Sequence, residues 1–179
     1  TSVPRFVATA ARLGYDGLVI RNHHQMRASF DRKAVLREYG IDVVDGVEIG
    51  GVGKRTARDV LDAVRPDTTI VVFRADTPER NRFGAERDRV DVLADPMAGN
   101  ANLNHVIVKA AVEHEVFLEV SLGRVLRTSG GPRVRALRGL RKLRELIEAY
   151  EAPFVVSAGA RTHLQLREPR ALLALGEEI

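Results

Sequence analysis

Asn102, His105 and Lys109 fall within GNANLNHVIVKAAVEH, positions 99–114, spaced three and four residues apart in an otherwise apolar run. In a helix that spacing sets the three side chains, with Glu113, on one face about a turn apart. Such a face could ligate a metal, supply a general base, or receive an anion. The first turn of a helix offers unpaired N–H groups and the positive end of its dipole, so cations placed there favour a phosphate. Asn102 suits the cap, which leaves His105 and Lys109 free to reach the anion. The structural alternative bonds His105 to the preceding strand and Lys109 to Glu113. Leu103, Val106, Ile107, Ala110 and His114 share the apolar face.

A metal site has thin support, and none is expected. The five histidines, His23, His24, His105, His114 and His163, form no H-x-H and no polar i, i+4 pair, whereas a catalytic zinc site needs three or more converging ligands. Glu48 and His23 are the pair that a metal-dependent phosphoesterase could use, and that activity stands as the alternative. There is no cysteine. Ser121 and Ser157 lack a histidine held by an acid, and no G-x-S-x-G occurs, so no catalytic residue is assigned. The expected site binds phosphates without cutting them.

Six short apolar runs, at 17–21, 43–49, 69–74, 89–94, 116–121 and 153–157, read as strands covered on both faces. Helical patterns run between them, roughly Val3–Leu13, Asp31–Tyr39, Lys54–Val64, Pro78–Arg87, Asn102–Glu115 and Pro132–Tyr150, and Glu168–Glu177 follows the last strand. This alternation indicates a parallel α/β fold. No dinucleotide or P-loop glycine motif follows a strand, which favours a (β/α) barrel over an open doubly wound sheet. The chain opens on a helix capped by Ser2, which leaves room for a strand ahead of Thr1 and a barrel of seven or eight strands. At 179 residues and 45% hydrophobic, residues 1–179 make one domain. With no signal peptide or membrane span, a cytoplasmic protein is expected.

In parallel α/β folds chemistry gathers where strands end. Those positions hold Arg21, Asn22 and His23, then Glu48, Gly50 and Gly51, then Arg74, Asp95, Ser121, Ser157, Gly159 and Arg161. The set is polar and largely cationic. Between Arg124 and Arg144 lie Arg124, Arg127, Arg133, Arg135, Arg138, Arg141, Lys142 and Arg144, with no acid. Without these eight, the chain's 28 basic and 24 acidic residues become 20 and 24. One segment therefore carries the whole positive excess. A run of like charge repels itself, and a polyanion relieves it. Arginine suits phosphate through its fork. Aromatic residues are only 5%, so backbone and shape contacts with folded RNA fit better than base stacking on single strands.

LVIRNH, GVEI, NLNHVIVKAAVEHEVFLEVSLGRVL and APFVVSAGARTHLQLREPRALLAL together resemble ribonuclease P protein component 3, the thirty-kilodalton type of archaeal and eukaryotic subunit. The resemblance implies a TIM-like barrel of the polymerase-and-histidinol-phosphatase (PHP) type without its metals. Glu48 matches the glutamate of that type's G-x-E, Ala158-Gly159-Ala160 stands where a late D-x-H would be, and no H-x-H is visible. The resemblance further implies an endoribonuclease complex that frees the 5′ end of precursor tRNA through its RNA subunit, which requires Mg2+. The isolated chain would be inactive, and no cofactor is expected on it. Its implied partners are ribonuclease P RNA, precursor tRNA within the complex, and a small protein subunit in a heterotetramer. On this sequence the expected RNA-binding residues are Arg21, Arg74, His105, Lys109, Arg124 and Arg161. Arg87, Arg89, Arg135, Arg138, Arg141 and Lys142 follow them. Val108 and Val112 are candidates for the partner's docking surface.

Overall fold

Six parallel strands pair in the order in which the chain makes them, so each crossover moves the chain one place along the sheet. A doubly wound sheet would reverse direction at a switch point; sequential order is that of a (β/α) barrel, as expected. In the computed structural model, which describes residues 2–99 and 101–178, the strands are β1 (Gly17–His23), β2 (Asp42–Ile49), β3 (Ile70–Arg74), β4 (Val92–Ala94), β5 (Phe117–Ser121) and β6 (Phe154–Ser157). The helices are α1 (Val3–Arg12), α2 (Arg32–Tyr39), α3 (Lys54–Val64), α4 (Pro78–Ala85), α5 (His105–Glu113), α6 (Gly123–Arg127), α7 (Gly130–Tyr150) and α8 (Pro169–Glu177). The sheet is a curled, partial barrel of six strands among the described residues.

The strands alternate between two faces. Val71 and Phe73 of β3, Val47 and Ile49 of β2 and Leu118 of β5 are fully buried, and they join one core with Leu61 of α3, Phe83 of α4, Ile107 of α5 and Leu143 of α7. Each such side chain contributes about 1.5–3 kcal/mol. A smaller cluster of Val7, Val35, Ile41 and Val43 seats α1 and α2. The other face carries Arg21, Glu48, Arg74 and Glu119. Arg21 pairs with Gly46 and Glu48 with Val72, so Arg21, Glu48 and Arg74 share that face in steps of two residues.

Local chemistry sets the ends of these elements. Gly40, with φ of 72°, takes the left-handed turn that closes α2. The strand expected over 89–94 is shorter, because the Asp91 carboxylate takes the N–H of Val71 at 2.6 Å and also holds Arg65. The helix expected from Pro132 begins two residues earlier, and Gly123–Arg127 adds a short helix in a stretch that the sequence pattern left unassigned.

Candidate nucleic-acid interface

The helix that bears His105 starts later than its sequence suggests. Asn104, not Asn102, is the cap, and its side chain accepts from the N–H groups of Val106 and Ile107 at 3.0 and 3.1 Å, a bond set typically worth about 1 kcal/mol. Asn102 lies ahead of α5 and accepts from Lys142 at 3.2 Å, so it ties that segment to α7. Because residues 102 and 103 are outside the helix, their phase does not set its face. Ile107, Val108 and Ala111 are buried, while Val106 is half exposed. Val108, a candidate for partner docking, is fully buried and unavailable; Val112 is 38% exposed. His114, expected in the core, instead pairs with Asp88. His105 and Lys109 are exposed as expected. The Lys109 ammonium stands 5.5 Å from the Tyr150 ring centre, which fixes it over α7.

Arg21 and Arg74 have a different setting from the other expected RNA contacts. Arg74 donates to both oxygens of Glu48, at 2.6 and 3.1 Å, and to Asp95 at 2.6 Å. Arg21 reaches Glu48 at 3.2 Å and Glu119 at 3.0 Å. Ser157 closes the network by donating to Glu119 at 2.7 Å. Burial opposes the charge on Glu48, but the Arg74 hydrogen bond and the positive charges of Arg21 and Arg74 outweigh it and hold the carboxyl below its usual range. Arg74 is held above its usual range by the bond to Glu48, against burial.

Where carboxylates at strand ends could have gathered a metal, two guanidinium groups stand in the cation's place. His23, the other donor considered, bonds the Gly50 carbonyl at 3.2 Å. Among the described residues no group of three or more His, Asp or Glu side chains is placed to hold a metal ion. Glu119, not singled out from the sequence, is the network's deepest acid at 3% exposure. Its signal was legible: an acid two residues before Ser121 in an apolar strand faces the same way and needs a cation.

Beside this network the remaining cations are open. Arg124 and Arg161 are exposed. Arg127, between them, donates to the Gly159 carbonyl at 2.7 Å, and burial together with Arg161 lowers its pKa. Three arginines thus crowd the ends of β5 and β6. α7 rises from the same end. Its buried residues are Leu140, Leu143 and Ile147, whereas Val134 is 47% exposed in the first turns of this 21-residue helix. Arg133, Arg135, Arg138, Arg141 and Lys142 all face solvent. Arg144 pairs with Glu148 at 2.7 Å.

Arg87 and Arg89 are placed apart. Arg89 pairs with Asp62 at the opposite end of the sheet, ahead of β4. The Arg87 guanidinium stands 4.7 Å from the Phe83 ring centre.

Charge along three helices opposes their dipoles. α3, α5 and α7 have no acid in the first turn and no base in the last. Asp59 sits at the middle of α3, and Asp62, Glu113, Glu145 and Glu148 sit in the later halves of their helices. Each misplaced charge costs about 0.3–1 kcal/mol when exposed. α3 and α5 follow the ends of β2 and β4, and α7 follows β5 through α6, so the effect gathers cations at one end of the barrel. That rim attracts anions.

These features match known proteins. A family model described as RNase P subunit p30 matches residues 1–179. Ribonuclease P protein component 3 of Halobacterium salinarum is 50% identical over 179 residues, all of this chain and 76% of that protein. The protein of that name from Methanosarcina barkeri is 28% identical over 177 residues, 98% of this chain and 74% of that one. A chain from a cryo-EM structure of archaeal ribonuclease P with mature tRNA superposes at a TM-score of 0.85 and 24% identity, covering 98% of this chain and 78% of its own. Histidinol phosphate phosphatase of Lactococcus lactis, solved with zinc, histidinol and phosphate, superposes at 0.58 and 11% identity, covering 98% and 87%; that likeness is one of fold alone. With its whole length matched and half its residues shared with a relative of that name, the chain belongs to the RNase P subunit p30 family and is a protein subunit of ribonuclease P.

Proposed function

We propose that this chain binds and helps fold the catalytic RNA of ribonuclease P, so that the RNA removes the 5′ leader of precursor tRNA at lower Mg2+ than it needs alone. The observation that carries the reading is the exposed, acid-free cationic face from Arg124 to Arg141, continuous with Lys142. Neutralising phosphates lets an RNA fold whose own charge otherwise demands Mg2+. The residues proposed to touch RNA are His105, Lys109, Arg124, Arg161, Arg135, Arg138, Arg141 and Lys142. Arg21 and Arg74 are reassigned to holding the strand ends, since carboxylates already take their donors, and Arg89 to its pair with Asp62. Catalysis stays with the RNA. The chain itself needs no cofactor and works in the cytoplasm as one domain. A small protein subunit joins it in a heterotetramer, for which the exposed residues Val106 and Val112 on α5 are the docking candidates.

The test is precursor-tRNA cleavage at Mg2+ too low for the RNA alone, with the small partner present. The wild-type pair is expected to restore cleavage. The double variant His105→Ala, Lys109→Ala is expected to require more Mg2+ and to cleave several-fold more slowly at the low concentration. An undiminished double variant would remove α5 from the RNA-facing surface.

A further inference from the structure

Between α3 and α4 lies a cleft of about 380 Å³ with cationic walls. α3 supplies Lys54, Arg55 and Arg58; α4 supplies Arg82 and Arg87, against the acids Glu79 and Glu86. Two of these cations are engaged internally. Arg82 bonds Glu86 at 2.6 Å, and Arg87 covers the Phe83 ring. The three on α3 are exposed, and among the described residues none has an ion-pair partner; the nearby acids Asp62, Asp76 and Glu86 serve Arg89, Arg80 and Arg82.

Hydrogen bonds at Glu79 and Thr77 lower the pKa of Glu79, and Lys54 across the cleft adds a smaller pull. Asp59 lies one turn from Arg55. Neither acid forms an ion pair with the three α3 cations, and their placement is otherwise unfavourable. Lys54 and Arg58 are four residues apart on one helix and repel. Lys54 and Arg55 also oppose the helix dipole in the first turn, where Asp or Glu would be favourable. The cleft's chemistry also limits its occupant. Its one aromatic, Phe83, is 7% exposed and capped by Arg87, so the lining offers no aromatic or apolar anchor of the kind found at the centre of protein interfaces. A polar, strongly positive surface that presents arginine forks suits phosphate oxygens. Several cations facing one opening suit consecutive phosphates, hence a backbone.

We infer that the α3–α4 cleft is a second binding surface for the phosphate backbone of ribonuclease P RNA, set two helices away from the α7 face. The inference rests on the RNA-binding reading above. With surfaces on both sides of α5, the chain would hold two stretches of backbone at once and fix their relative position. One-sided contact cannot do that.

The experiment compares the wild-type chain, with its small partner, against Lys54→Glu, Arg58→Glu and the milder Lys54→Gln, Arg58→Gln. The readouts are thermal unfolding and a salt titration of binding to the cognate ribonuclease P RNA. A glutamate at 54 agrees with the α3 dipole, while one at 58 meets Asp62 a turn on. Both sites are exposed, so the glutamate variant is expected to melt close to wild type. Its RNA affinity is expected to fall at least tenfold near about 0.15 M salt, with a salt slope shallower by about two; the glutamine variant should lose nearly as much slope. Unchanged affinity and slope, while α7 variants still weaken binding, would overturn the cleft and leave the RNA-binding reading standing. Loss of the small partner with an unchanged RNA slope would also overturn it, assigning the cleft to protein. Failure of the wild-type pair to bind the RNA would sink both readings.

Discussion

Arg138→Glu with Arg141→Glu is expected to lower affinity for ribonuclease P RNA about 100-fold at physiological salt and to make the salt slope shallower by about two. Each cation that meets a phosphate releases counterions, so losing two contacts removes about two units of slope. A tenfold loss per contact corresponds to about 1.4 kcal/mol, a modest figure for a reversal that adds repulsion. Both side chains are exposed, so the stability change should stay within about 0.5 kcal/mol. Helix pairing also balances: a glutamate at 138 gains Lys142 as its i+4 neighbour, while one at 141 meets Glu145. Thermal unfolding beside the salt titration separates a lost contact from a lost fold. An unchanged slope would reduce the α7 charges to a solvated face.

Arg74→Ala should act on the fold instead. It strips donors from Glu48 and Asp95, which are 16% and 14% exposed, and leaves Arg21 as the remaining guanidinium of the network. Breaking a fully buried pair costs about 3–5 kcal/mol; Arg74 is itself 38% exposed, so about 2–3 kcal/mol is expected. The pH dependence has a definite sign. The folded pKa of Glu48 is depressed, so its contribution is full above the unfolded value of about 4.3 and is lost as pH falls through the folded value. In the variant burial acts on Glu48 with less opposition, and that contribution disappears. The stability gap between variant and wild type should therefore be widest at neutral pH and narrow below about pH 4. Urea unfolding at pH 7 and pH 3.5 measures both. A gap that stays constant would assign the loss to packing rather than charge.

The strand and helix order was legible because parallel strands and their crossover helices differ sharply in apolar period. The cationic character of α7 was equally plain, since exposed like charges depend little on tertiary context. Side-chain destinations were harder. Arg21 and Arg74 share with Arg124 and Arg161 a residue type and a place at a strand end, yet Glu48, Asp95 and Glu119 claim the first two. Those acids are 27 to 98 positions away from Arg21 or 21 to 45 from Arg74 in the chain, and only the register between strands brings them onto one face within reach. The face of α5 was ambiguous because Val106, Ile107, Val108, Ala110, Ala111 and Val112 make it apolar nearly all round; packing against α4, β5 and α7 settles which residues turn inward. The start of the same helix depended on which of Asn102 and Asn104 bonds its first N–H groups, a competition between identical side chains two residues apart.

The absence of cysteine permits a direct measurement of which surface meets the RNA. A single cysteine at Val134, exposed among the α7 arginines, can carry a tethered iron chelate that cleaves nearby RNA through hydroxyl radicals. A second variant places the probe at Asp16, at the other end of the barrel ahead of β1. In complexes with ribonuclease P RNA and the small partner, discrete strand scission is expected from position 134 and little or none from position 16. Scission from position 16 alone, or none from position 134 in complexes that remain assembled, would contradict the assignment of RNA to the α7 face.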